Sequence, residues 1–359
     1  MWPGGSFRIR GSAPYSRCSM PSKKDASIET LRGVAIVMMV AGHVIGHDAD
    51  AGMRVADDST WRYIYFSFEY VRLPLFTCIS GFVYSLHPVT ARTIRAFLVG
   101  KAHRVLLPLF FVGTLQFLLR VVIPGVNHPA QLHEVWRVYV YGTDQFWFLP
   151  AIFFIFVIAA ALERFRLMHD WKGWLVFLSL VSAFQLLVPM PPRIFSLRGV
   201  VYLLPYFILG IGLNRHRDVF RPRVVGVLSL LFFGGVVVHQ AALQGMVEVA
   251  MPHKMTPLAL VVGLTGNALL FHFRRANRPL ARLGFYAYGI YLFHVMPSAA
   301  SRIALGRLGI DTPAVIFCVS LFFALGVPVV VELVILRSKV LTHLFLGLRP
   351  KGARVSAKR

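Results

Sequence analysis

Acidic side chains are scarce in this sequence. Fifteen Asp and Glu stand against 38 Lys and Arg, and charged residues of both signs fill only 15% of the 359 positions. A soluble globular chain carries roughly a quarter charged residues, so that class is excluded first. Cysteine is almost absent: Cys18, Cys78 and Cys318 lie far apart, one in the N-terminal stretch and two inside apolar runs. No disulfide framework or zinc spacing can be drawn from them, and no metal is expected. The first 27 residues are basic and carry Gly, Pro and Ser but no apolar core, so they do not read as a cleavable signal peptide. Nothing before Met20 has the pattern of a structured element, and Met20 serves as a start as well as Met1 does. No internal repeat is visible, which counts against transporter architectures built from inverted repeats.

What is present is apolar surface. Hydrophobic residues make up 57% of the chain and the mean hydropathy is +0.65, the composition of a membrane protein. A helical span needs about 20 mostly apolar residues. Ten segments approach that length: 29–47, 63–86, 105–123, 146–162, 173–189, 199–213, 224–242, 256–273, 283–300 and 314–336. The expected fold is therefore an all-α polytopic membrane protein of about ten spans. It divides into a disordered basic tail (1–27), one membrane-embedded domain (28–337) and a basic C-terminal tail (338–359). Of the 38 Lys and Arg, 28 fall on the side that holds both termini, 8 on the other side, and 2, Arg72 and Arg120, inside spans. The positive-inside rule then puts both ends in the cytoplasm. Because the cations sit in short clusters between apolar runs, the net charge of +23 is an orientation signal, and no nucleic-acid partner is expected.

The first span, Ser27-Ile-Glu29-Thr-Leu-Arg32-Gly through Ala-Gly-His43, carries the most chemistry. Arg32 and His43 are eleven residues apart, which on a helix returns to within about 20° of one face, some 16 Å along the axis. They face one cavity at two depths, too far apart to bond each other. Glu29 lies one turn before Arg32 and can pair with it. An ionisable residue inside a span is a functional candidate by default. The alternatives are that Arg32 is a charge anchor and His43 an interhelical hydrogen-bonder. His47, one turn later, borders an acidic loop and reads as an interface residue.

Other landmarks follow in order: Leu73-Pro-Leu-Phe-Thr-Cys-Ile-Ser80-Gly81-Phe82, Lys101-Ala-His-Arg104-Val-Leu-Leu-Pro108, Phe146-Trp147-Phe148-Leu149, and Leu283-Gly-Phe-Tyr-Ala-Tyr288-Gly-Ile-Tyr291-Leu-Phe-His294. With the Arg-to-His spacing of the first span, these resemble the acyltransferase-3 family, membrane acyltransferases that modify cell-surface sugars and related acceptors. The resemblance covers residue 28 to about 330. Two departures stand out: Lys101 occupies an Arg position, keeping charge but losing bidentate geometry, and no C-terminal hydrolase-like domain follows in this sequence. The membrane domain is then expected to complete the reaction itself or with a separate partner.

The resemblance implies an acyl-CoA donor, with acetyl-CoA the simplest case, a glycan, glycolipid or glycosylated small-molecule acceptor, and a bacterial inner membrane. Acyl transfer from a thioester to a hydroxyl needs a base near that hydroxyl, and His43 is the only histidine deep in an early span. Arg32, Lys101 and Arg104 would hold the donor phosphates at the cytoplasmic rim. His43, Arg32 and Glu29 are the catalytic candidates, and Ser80, Trp147, Tyr291 and His294 the acceptor-site candidates. Ser80 also fits close helix packing, Trp147 an interfacial anchor, and Tyr291 with His294 a span terminus. Two rival functions remain: a transporter or flippase using Glu69, Arg72, Arg120 and His239, and an idle scaffold or sensor.

Overall fold

The structure is a computed structural model, and it describes residues 23–348 apart from 88, 91, 166, 190 and 249–253. The expectations for residues 1–22 and 349–359, including Cys18 and the alternative start at Met20, lie outside the described residues. Among those described there are fifteen α-helices and no strand. In chain order they are α1 (Lys23–Ile45), α2 (Thr60–Ser67), α3 (Glu69–Leu86), α4 (Ile94–Val122), α5 (Trp136–Val140), α6 (Phe148–Arg164), α7 (Trp171–Leu187) and α8 (Leu197–Arg215). There follow α9 (Pro222–Leu243), α10 (Pro257–His272), α11 (Arg278–Phe285), α12 (Ala287–Phe293), α13 (Val295–Arg307), α14 (Pro313–Ile335) and α15 (Lys339–Leu346). Local chemistry sets many boundaries. Pro222, Pro257 and Pro313 stand at helix starts, where the missing N–H costs nothing. Asp170, Thr256 and Asn277 accept from the backbone N–H of Gly173, Ala259 and Leu280 as N-caps.

Six helical segments are long and apolar enough to cross a membrane: Ala26–Ile45, Ile94–Val122, Leu132–Arg164, Ile194–Arg215, Pro222–Leu243 and Pro313–Ile335. The expected count of about ten is not reached by this measure. Two of the other expected spans, α7 and α10, are apolar but only 17 and 16 residues long. The remaining two are interrupted. Phe68 ends α2 and begins α3, dividing 63–86. The 283–300 run breaks at Tyr286 and again at His294. Pro297, three residues after His294, has no N–H for the carbonyl of residue 293, which accounts for the second break. The outer surface is apolar, as on α9 (Leu230, Phe233, Val237) and α14 (Phe322, Val330), a face suited to lipid.

The interior is built on close backbone contacts. α3 packs against α8, and a side chain on Gly81 would overlap the carbonyl of Phe207, while one on Gly210 would overlap that of Cys78. α1 packs against α11 in the same way, Gly33 against the carbonyl of Leu280 and Gly284 against that of Glu29. Small residues at these crossings permit the approach. The expected tails differ at their inner ends. α1 already begins at Lys23, and residues 339–346 of the expected C-terminal tail form α15, which packs on α4.

Candidate active site

α1 is unbroken from Lys23 to Ile45, so Arg32 and His43 share a face about 16 Å apart along its axis. His43 opens onto a cavity of about 1140 Å³, whose wall includes the turns at Gly46–Met53 and Tyr141–Phe148. The residue before it is Gly42, and the space a methyl group would fill there holds the guanidinium of Arg72 from α3. Arg72 lies over the Tyr65 ring at 3.9 Å and pairs with Glu69 at 3.9 Å, while Lys254 reaches the same carboxylate at 3.2 Å. A guanidinium is thereby held against α1 one residue before His43, and both side chains line the cavity.

His294 stands behind His43. The ring centroids are 5.0 Å apart with planes inclined at 59°. Nδ1 of His294 lies 3.0 Å from the carbonyl oxygens of both Ile290 and Tyr291. Carbonyls only accept, so Nδ1 carries the proton and Nε2 is left as an acceptor. That Nε2 is buried without a hydrogen-bond partner in the structure. Both carbonyls belong to the helix end just before the break at His294, so the interruption itself orients the ring. Tyr291, one turn earlier, lines the cavity and donates to the carbonyl of Gln145 at 2.7 Å. Gln145 and Gln116 pair through their amides (2.8 and 3.3 Å), and Gln116 and Arg120 both donate to Asp144 at 3.1 and 2.7 Å. Trp147 forms the adjoining wall against Gly199 of α8.

The other end of α1 is a separate basic cluster. Arg32 is ion-paired with Glu29, and Lys101 lies within electrostatic reach of both Arg104 and Arg32. The Lys101 ammonium sits 3.9 Å over the Phe156 ring. Arg104 stacks on Tyr288 at 4.1 Å and donates to the carbonyl of Leu346 at 2.6 Å, tying α15 to α4. None of Glu29, Arg32, Lys101 and Arg104 lines the cavity.

The predicted residues therefore fall into groups. His43, Trp147 and Tyr291 meet at the cavity wall with His294 behind, and Arg32, Glu29, Lys101 and Arg104 gather at the opposite end of α1. Ser80 lies outside the cavity, and its hydroxyl donates to the carbonyl of Phe76 at 2.9 Å within its own helix. His47 lines the cavity mouth and pairs with Asp48 at 2.9 Å. Sequence reasoning missed Gln116, Asp144 and Gln145, neutral or loop positions without a periodic signal. It named Arg72 and Glu69 for a permeation path and not for this site, though Gly42 beside His43 marks where a group from another helix enters.

Apolar helices around a cavity, with a histidine and several cations in its wall and a basic cluster beyond, define a polytopic helical membrane protein. The acyltransferase-3 family, whose sequence model is described as an acyltransferase domain, matches residues 25–333, and the chain belongs to that family of acyltransferases. No curated protein and no solved structure matches the chain.

Proposed function

We propose that this acyltransferase moves an acyl group, acetyl in the simplest case, from cytoplasmic acyl-coenzyme A to a hydroxyl of a glycan, glycolipid or glycosylated small molecule. The observation that carries the reading is α1 itself. It carries Arg32, which gathers with Lys101 and Arg104 of α4 into a cationic cluster, and, eleven residues on, a histidine open to a cavity of about 1140 Å³. Donor phosphates fit the cluster of Arg32, Lys101 and Arg104, since guanidinium and ammonium groups bind phosphate by charge-assisted hydrogen bonds. The pantetheine arm then runs along α1 toward His43, and the acceptor enters from the cavity.

In direct transfer, His43 takes the proton of the acceptor hydroxyl as its oxygen attacks the thioester carbonyl. The C–O bond forms, the C–S bond breaks, and the proton passes to the departing thiolate, giving ester and CoA thiol. Negative charge on the carbonyl oxygen develops beside Arg72, a fixed cation of the kind that stabilises such transition states. A two-step path through an acyl-histidine uses the same groups. The 28-to-8 distribution of cations supports both termini in the cytoplasm, and the same reading puts the protein in a bacterial inner membrane.

The test is acetyl-CoA binding and slow hydrolysis by purified protein, wild type beside Lys101→Ala and His43→Ala. Wild type is expected to bind and release CoA, Lys101→Ala to bind more weakly, and His43→Ala to bind without turnover. Absence of acyl-CoA binding by wild type overturns the donor assignment and favours a transporter, which would move substrate without consuming CoA.

A further inference from the structure

Cations on the face away from the basic loops are few, and their placement is uneven. Ten of the 38 Lys and Arg fall outside the 28 assigned to the side of the termini. Seven of those ten line the cavity that His43 opens onto, against two carboxylates, Glu69 and Asp144. The carboxylates are already taken. Glu69 lies between Arg72 and Lys254, and Asp144 is bound by Arg120. The other four, Arg193, Arg198, Arg302 and Arg307, have no ion pair among the described residues. Uncompensated charge beside apolar spans is costly, and its concentration in a cavity marks a pathway or binding site.

A second observation comes from the start of α8. Phe195 and Ser196 both adopt left-handed backbone (φ 48° and 60°), a conformation that side chains beyond glycine rarely take. These turns bring the first residues of α8 to the cavity wall, which Arg193, Ser196, Arg198 and Gly199 all line. The hydroxyl of Ser196 is buried, with 3% of the residue exposed, and has no hydrogen-bond partner in the structure. Helix N-termini carry partial positive charge and free N–H donors, which suit an anion.

We propose that the molecule taken into this cavity is an anion, a saccharide or glycolipid bearing carboxylate or phosphate, whose charge is held by Arg193, Arg198 and the start of α8 on one side and Arg302 and Arg307 on the other. Its role as acyl acceptor rests on the acyltransferase reading; its binding does not. A neutral glycan would leave the four cations without counter-charge from the ligand. An anionic one pairs them and is drawn in by their summed field, which clefts of one charge sign focus.

The experiment reads binding and not turnover. Purified protein in nanodiscs of phosphatidylcholine, which is neutral overall, is titrated calorimetrically with an alkyl glucuronide, an alkyl phosphate and an alkyl glucoside of equal chain length. At least one of the two anions is expected to bind about tenfold or more tighter than the glucoside, and to weaken as salt rises. A glucuronide preference points to a uronate-bearing acceptor, and a phosphate preference to a phosphate-linked one. The preference should fall about tenfold in Arg193→Gln/Arg198→Gln and in Arg302→Gln/Arg307→Gln. It should persist in Arg137→Gln, on the same face but outside the cavity. Equal affinity for charged and neutral probes, no binding of any probe, or a preference untouched by salt and by both double variants overturns the proposal. Loss of acetyl-CoA turnover with anion binding intact would instead remove the acyltransferase reading alone.

Discussion

Gly42 and Arg72 share one space between α1 and α3: Nη1 of the guanidinium lies where a methyl group on Gly42 would stand. The contact sets a cation one residue from His43, and Tyr65 and Glu69 hold it there from the other side. Because the obstructing atom is the far end of a flexible side chain, Gly42→Ala should displace Arg72 without unfolding the protein. Turnover is expected to fall about tenfold to a hundredfold, as misplacing a charge-stabilising group does, with acetyl-CoA affinity unchanged. Steady-state kinetics beside direct donor binding decide this; normal kcat in Gly42→Ala would remove Arg72 from the reaction.

On the proposed function, His294 acts through His43 as a positioning residue, its ring 5.0 Å from that of His43. His294→Ala should lower kcat about tenfold at constant donor KM and displace the pH profile of kcat, because the neighbour that fixes the His43 ring is gone. His294→Gln, which retains an acceptor, should recover part of the rate. A purely structural histidine would instead reduce the yield of folded protein and leave the pH profile in place.

Within Ser80-Gly81-Phe82 the two small residues have different work. Gly81 meets backbone, the carbonyl of Phe207, which cannot swing aside. Gly81→Ala is expected to destabilise by about 1–3 kcal/mol, the usual cost of overpacking, seen as a lower thermal midpoint in detergent. Ser80→Ala should change neither midpoint nor turnover, since the Ser80 hydroxyl bonds only within its own helix. A tenfold loss of turnover in Ser80→Ala would restore it to the site.

Arg62, buried among apolar neighbours, closes the turn that begins at Gly46. It donates to the carbonyls of Gly46 and Val55 and pairs with Asp57 at 3.3 Å. Arg62→Met should cost roughly 1–3 kcal/mol for each carbonyl left unsatisfied. Hydrogen–deuterium exchange is expected to rise across 46–59 while α1 stays protected, and acceptor KM to rise with it because Gly46–Met53 walls the cavity. Unchanged exchange in that stretch would show the loop is held by something else.

Much of the fold is local information. The apolar runs at 29–47, 105–123, 224–242 and 314–336 are legible because a helix in lipid satisfies its own backbone and needs only length and hydropathy. The Arg32–His43 pairing is legible for a similar reason: helical periodicity alone puts residues eleven apart on one face. The runs 63–86 and 283–300 read as unbroken because hydropathy averages over a break, and the structure interrupts the helix in each. Pro297 and the charges at Glu69 and Arg72 were the signals that the averaging hid.

The sequence by itself determined that the chain is a helical membrane protein, which of its ends are basic, and that one helix bears an arginine and a histidine along a common face. These follow from period, hydropathy and charge count, properties of neighbours along the chain. Only the tertiary structure decided that His294 stands behind His43, that Arg72 fills the space at Gly42, that Ser80 stays out of the cavity, and that seven scattered cations line one cavity. Each of those depends on how helices distant in sequence cross, and a crossing is set by shape, by which glycines let backbones touch and which side chains fill the gap, and that is not written in the order of residues along any single helix.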